Sequence, residues 1–290
     1  MMTKNADKKR EQIRSFIFSR EMMKRFRKSC EIEIYLNILN GLSTFGNREL
    51  FIIDTQHDGL INMNALPLAF KYKEKNSEAV GNLLLPLNKP ASIPEEATEL
   101  VKNIIDNMNI VLQQLVPGLT IGVVDLGPAV SKEGKIGRLI QLMSLKNEKA
   151  IPFQYESEGI KKIVSILQLL IVVYNNPSIT VAIDELDSGI FEYLLGELLN
   201  IISEKGKGQL IFTSHNLRPL ETIDKGFIAF TTTNPDNRYI RMTNVKVNNN
   251  LRDFYYRDIV LGEQSEPVYS PTNNYEIALA FREADEAFGS

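Results

Sequence analysis

The sequence predicts an α/β fold, with a core of parallel strands and an additional mixed α+β lobe. Three observations predict it. Ile179–Ile183 and Leu210–Thr213 are short and almost wholly apolar, the pattern of parallel strands covered on both faces. A helical segment precedes each, Ile160–Tyr174 and Ile190–Ser203, so the order helix, strand, helix, strand argues for α/β layering. The N-terminal third has a different texture, with strand-like runs divided by turn signals and then one amphipathic helix. Hydrophobic residues make up 43% of the 290-residue chain and charged residues 24%. That composition excludes chain-wide disorder and leaves enough chain to bury a sizeable core.

Taken in order, a charged helix is expected over about residues 5–28. Strands are expected at Ile32–Ile38, Leu50–Ile53 and Leu66–Tyr72, divided by Asn40-Gly41, Gly46-Asn47 and Asp58-Gly59. Leu87–Pro94 holds two prolines and reads as a connection. Glu95–Leu115 has helical periodicity, with Leu100, Ile104, Met108, Val111, Leu112 and Leu115 on one face, and Pro117-Gly118 ends it. Leu119–Leu126 and Arg138–Leu145 read as a β-ribbon. Ile160–Tyr174 is apolar nearly all round, as a buried helix should be, and Asn175-Asn176-Pro177 stops it. Leu194, Leu195, Leu198, Leu199 and Ile202 form the apolar face of Ile190–Ser203, which Gly206 and Gly208 terminate. Phe227–Thr231 and Arg238–Met242 read as strands, and helices near Asp253–Leu261 and Tyr275–Phe288 finish the chain. The resulting division is an N-terminal mixed lobe with a basic leading helix over residues 1–118, and a C-terminal α/β part over 119–290.

Charge is unevenly placed. Residues 1–30 hold ten Lys/Arg against three acids, a net +7, whereas the whole chain is −3. A basic helix of this kind can contact nucleic acid or an acidic surface. The single cysteine, Cys30, excludes a disulfide scaffold and fits a reduced, cytoplasmic setting. The first residues are charged and show no secretory leader. The longest apolar run, Ile163–Tyr174, is broken by Ser165 and Gln168 and is too short to span a bilayer.

Three features carry chemistry. Ile179–Ile183 delivers two carboxylates, Asp184 and Glu185, at its C-terminal end, the edge where open parallel sheets bind ligands. The first can hold Mg²⁺ and the second can polarise a water for attack on a phosphoryl group; the pair is equally suited to cap a helix and complement its dipole. Upstream, Tyr155-Glu156-Ser157-Glu158-Gly159 forms a polar turn before the buried helix. Backbone N–H groups at a helix start make an anion site, and Gly159 allows close approach. The structural alternative is a plain cap by Ser157 with Glu158 at the positive end of the dipole. Downstream, Leu210–Thr213 leads to His215, one of two histidines in the chain, a residue able to donate to a γ-phosphate.

In this order the three features resemble the second half of an ATP-binding-cassette (ABC) type ATPase core. The soluble SMC- and RecF-like ATPases, and stand-alone bacterial AAA-type ATPases with members in phage defence, are the relatives it looks most like. The resemblance covers about residues 151–231. It implies that Ser157, Glu158 and Gly159 stand in the signature motif, whose serine and glycine contact the γ-phosphate bound by the opposite subunit. It likewise implies Asp184 as the Walker B aspartate and metal ligand, Glu185 as the catalytic glutamate, Asp187 in the D-loop Leu186–Gly189, and His215 as the switch histidine. Glu156-Ser157-Glu158-Gly159 departs from the family's commoner Leu-Ser-Gly-Gly. The implied cofactors are ATP and Mg²⁺. The implied partner is a second copy in a head-to-tail dimer, or a chain that supplies a Walker A loop.

That loop, G-x-x-x-x-G-K-S/T, is absent from the sequence. Gly134-Lys135 is followed by Ile136, and Gly206-Lys207 by Gly208. The fold expected is therefore an incomplete P-loop NTPase core. Such a chain is the C-terminal part of a longer ATPase, a natural half whose other half is separate, or a non-catalytic interaction subunit that keeps the fold. Asp54, His57 and Asp58 are metal-ligand types at close spacing, but they lie beside Gly59 in what reads as a turn. No G-x-S-x-G elbow supports a serine triad, and Cys30 has no supporting signature.

Overall fold

A computed structural model of the chain describes residues 33–53, 65–74, 77–130, 136–147, 149–243, 250–261 and 272–286, together with 264, 266, 268 and 269. The expected basic helix, Cys30 and the Asp54/His57/Asp58 group lie outside the described residues. The architecture is a mixed parallel and antiparallel α/β arrangement that divides into two compact units. One comprises Met1–Ile190 and Lys205–Thr213, the other Phe191–Glu204 and Ser214–Ser290. Residues 118 and 119, where the sequence reading draws its boundary, both lie in the first.

The first described element of the first unit is a helix where a strand is expected. α1 spans Glu33–Thr44 and runs into a π-helical turn, Phe45–Glu49. Apolar residues at Ile32, Ile34, Leu36 and Ile38 suggest alternation, but Leu36, Leu39, Asn40 and Ser43 are the half-buried positions. That spacing is helical, and it carries the helix through Asn40-Gly41. Strand β1, Leu50–Ile53, follows as expected.

β2 (Ala65–Glu74) and β3 (Ser77–Pro86) form an antiparallel hairpin in unbroken register. β3 was not legible, because Gly81-Asn82 and Pro86 punctuate it with residues that usually mark turns. The hairpin is anchored by Leu66, Leu68 and Leu85, all fully buried.

β4 (Ala91–Pro94) lies in the stretch read as a connection. α2, Thr98–Leu115, buries Val101, Ile104, Ile105, Met108 and Leu112. Leu100, Val111 and Leu115 are only half-buried, so the true core stripe is rotated from the expected one. α2 packs on β5 (Leu119–Val130), where Asn109 spends its amide on one residue. Its Oδ1 accepts from the Ile121 amide and its Nδ2 donates to the Ile121 carbonyl, both at 2.8 Å. β5 pairs along β6 (Ile136–Lys146), which takes β4 on its other edge at one end and β7 (Lys149–Pro152) at the other. The ribbon shifts register at Asp125/Gly127. There Asp125 accepts from the Gly127 amide and from Arg138, which hold its carboxyl below the usual range.

α3, Glu158–Asn175, is buried on nearly every face, as its composition requires. It packs against β2 and against β8 (Thr180–Ile183). β8 is the centre of a three-stranded sheet, with β1 on one side and β9 (Gln209–Phe212) on the other, all parallel. Phe51, Val181, Ile53 and Ile183 are buried in this sheet. All three strands therefore end at one edge, and Asp184, Glu185 and Thr213 follow directly from it.

The second unit contains α4 (Glu192–Lys205), a short turn of helix α5 (Pro219–Thr222), and a minimal antiparallel pair, β10 (Phe230–Thr231) with β11 (Tyr239–Ile240). α6 (Leu251–Leu261) and α7 (Asn274–Glu286) complete it. β10 and β11 are shorter than expected, and a 3-10 turn takes Lys225–Phe227 at the start of the first. Ion pairs organise the unit: Arg252 reaches Glu221 at 3.0 Å and Glu192 at 3.7 Å, and Arg218 reaches Glu221 at 2.6 Å. Phe230 stacks on Tyr255 with ring centroids 5.2 Å apart. No helix among the described residues is long and apolar enough to cross a membrane.

Candidate functional site

The site is built at the C-terminal edge of the parallel sheet. The Asp184 amide continues the ladder by donating to the Ile53 carbonyl at 3.0 Å, and the Thr213 amide donates to Ile183 at 3.1 Å. Past this point the chain leaves the sheet. Leu186 and Ile190 are buried and pin the loop at two points, while Asp184 and Glu185 before Leu186 and Asp187 after it stay half-exposed. Alternation of apolar anchors and carboxylates thus presents the acids at the surface from a fixed backbone.

Thr213 is the clamp on this loop. Its hydroxyl donates to Asp184 Oδ1 at 2.5 Å and accepts from the Glu185 amide at 2.8 Å. Its carbonyl accepts from the Leu186 amide at 3.0 Å. Glu185 needs such holding, for its φ of +48° puts a side-chain-bearing residue in the left-handed region, at a cost of about 1–2 kcal/mol. The Glu185 carbonyl is held as well: it accepts from the Ser188 amide at 3.1 Å and from Lys162 Nζ at 3.1 Å.

Ser157 caps α3, its Oγ accepting from the Ile160 amide at 3.3 Å. Glu158 lies in the first turn and pairs with Lys161 at 2.9 Å. Both residues therefore do the structural work that a cap implies. Gly159 is required by packing, since a Cβ there would stand 2.4 Å from the Gly189 carbonyl oxygen. Gly189 itself has φ +77°, so glycine is favoured there by backbone conformation and at Gly159 by the close approach. The structure thus brings the Ser157-Glu158-Gly159 turn and the Asp184–Gly189 loop together within the first unit. His215 belongs to the second unit.

Two residues of the site were missed in the sequence: Thr213 and Lys162. Lys162 is 2% exposed. Burial pushes its ammonium below the ordinary lysine range, while Asp187, Glu185 and Asp184 oppose that shift. The signal that could have found it was a charge inside a helix otherwise apolar all round.

The donor set at the loop is carboxylate and hydroxyl oxygen, which suits a hard cation such as Mg²⁺. Among the described residues no group of three or more His, Cys, Asp or Glu could hold a metal by itself.

Replacing Thr213 with Val keeps its shape and removes both hydroxyl bonds. The expected cost is about 1–3 kcal/mol, because the Glu185 amide and Asp184 lose a partner together. Urea denaturation checks this, with Thr213→Ser expected to retain most of the stability.

No protein-family model matches the sequence, and no curated protein matches it. Solved structures do. One, an SMC head bound to the C-winged helix domain of ScpA, is 14% identical over 41% of this chain and 36% of that one, with a TM-score of 0.31. An SMC head with a coiled coil and joint from Pyrococcus yayanosii is 15% identical over 43% of this chain and 24% of that one, at TM-score 0.34. A structure from work on ATP-driven dimerization and DNA-stimulated activation of SMC ATPases is 11% identical over 58% of this chain and 96% of that one, at TM-score 0.40. The chain spans about a third or less of the first two. This is a distant similarity to SMC ATPase head domains, and it establishes nothing finer.

Proposed function

We propose that the chain is the acidic-strand part of an ABC/SMC-like nucleotide hydrolase. The observation that carries the reading is the clamped acidic pair at the edge of a parallel sheet, with Thr213 bonded to Asp184 at 2.5 Å and to the Glu185 amide at 2.8 Å. In this reading the Asp184 carboxylate contributes one ligand to a Mg²⁺ ion. Glu185 accepts a proton from the attacking water and fixes its direction. Ser157, Glu158 and Gly159, at the positive end of the 18-residue α3, face nucleotide held by a second copy or by another chain, and Asp187 lies along the same junction. MgATP, when bound, supplies the phosphoanhydride to be cleaved and the charge that the cation neutralises.

This reading requires a phosphate-binding loop from elsewhere, since no G-x-x-x-x-G-K-S/T is present. That absence favours a second reading, an interaction subunit without turnover. Equilibrium dialysis of MgATP separates the two, using the full chain alone and with the proteins that co-purify with it from its own cells. The first reading expects binding in the assembled sample, with its Mg²⁺ dependence lost in Asp184→Asn. Absence of binding in both samples rejects the hydrolase and leaves the interaction subunit. A nucleic-acid role for the basic residues 1–28 is checked in the same preparation, as binding that weakens steeply with salt.

A further inference from the structure

We infer that Lys162 is a positioning residue for Glu185, holding the backbone from which the catalytic carboxylate projects. The inference rests on the reading of Glu185 as the water-orienting group and adds the part that sets its direction. Lysines are almost never fully buried unless paired, and an ammonium taken out of water carries a penalty of several kcal/mol. Helix α3 places Lys162 among Ile163, Val164 and Ile166, where its pattern calls for an apolar side chain. Lys162 is nevertheless 2% exposed, and burial alone pushes its ammonium toward the neutral form. Something must offset that cost, and the structure shows what does. Nζ donates to the Glu185 carbonyl at 3.1 Å, with the charges of Asp187, Glu185 and Asp184 arrayed around it.

The bonded atom matters. It is a main-chain oxygen, so this bond acts on the backbone of Glu185. It belongs to the residue with φ +48°, a conformation that persists only when its surroundings over-determine it. The Thr213 hydroxyl fixes the amide side of Glu185 and Lys162 fixes the carbonyl side. With both peptide planes held, the Cα–Cβ direction of Glu185 is fixed too. Lys162 also sits on the helix whose first turn carries Ser157 and Gly159, and Gly159 lies against Gly189 at the far end of the same loop. The signature-like turn and the acidic loop are thereby joined at two points.

Hydrogen exchange on the full chain without nucleotide tests this, comparing Lys162→Met, Lys162→Gln and Lys162→Arg. In Lys162→Met the amides of Glu185, Leu186 and Ser188 are expected to exchange about tenfold faster or more, the loss of a charge-assisted hydrogen bond. Val181 and Ile183 in β8 should keep their protection. Lys162→Arg should restore the loop, because it keeps the charge and the donor. A purely packing role predicts the reverse order, with Met harmless and the bulkier Arg disruptive. Wild-type protection in Lys162→Met, or an Arg variant as open as the Met variant, overturns the proposal. Should Lys162→Met fail to fold, Lys162→Gln takes its place in the same comparison. Because no nucleotide is present, loss of the hydrolase reading leaves this result standing as a tether, and loss of the tether leaves the hydrolase reading untouched.

Discussion

Glu185→Gln is expected, on the proposed hydrolase reading, to lower ATP turnover of the assembled sample by about 10²- to 10⁴-fold, the usual contribution of a positioned general base. The substitution keeps size and the clamped backbone, since the Thr213 and Lys162 bonds go to the Glu185 amide and carbonyl. Nucleotide binding should therefore survive. The associated, ATP-bound form should accumulate, visible as a larger species by light scattering that persists after free nucleotide is removed. Asp184→Asn should behave differently, because it removes a charge from the cation site: Mg²⁺-dependent binding itself should fall. Undiminished turnover in Glu185→Gln rejects Glu185 as the base.

The acidic pair was legible because its signal is local: an apolar run, then two carboxylates, then a buried Leu186. The same holds for α3, whose uniform apolarity announces burial, and for the parallel strands. What was not legible depends on partners distant in sequence. β3 becomes a strand because β2 offers it a complete register, despite the glycine and proline in its own sequence. α1 reads as a strand until its half-buried positions are known. Thr213 is an ordinary strand-end residue until β9 lies beside β8 and its hydroxyl meets Asp184. Gly159 invites a phosphate reading in sequence, and the fold adds a packing reason for glycine there that the sequence did not show, its neighbour Gly189. These are effects of tertiary contact on local propensity, and they concentrate where two loops meet at the site.

Phe153→Ala is expected to destabilise the first unit by about 3–5 kcal/mol, the range for removing a buried aromatic side chain and leaving a cavity. Phe153 is 0% exposed and among the largest fully buried side chains. It occupies the single 3-10 turn, Phe153–Tyr155, between β7 and α3. Its carbonyl accepts from the Glu156 amide at 3.1 Å, and the Glu156 carboxylate accepts from the buried Ser144 hydroxyl at 2.5 Å. Ser157 follows directly as the cap of α3. The ring therefore does more than fill space: with the Ser144–Glu156 bond it fixes how the chain enters the helix, and so where the Ser157-Glu158-Gly159 turn faces. Tyr155 is the control, two residues on in the same turn but 71% exposed; Tyr155→Ala should change stability by no more than about 0.5 kcal/mol. Urea denaturation gives both values. A Phe153→Ala cost below about 1 kcal/mol would mean that the turn is held by Glu156 and the strands alone. A loss in the expected range, with faster exchange of the Ile160 amide than in Tyr155→Ala, would place the anchor of the signature-like turn in the hydrophobic core.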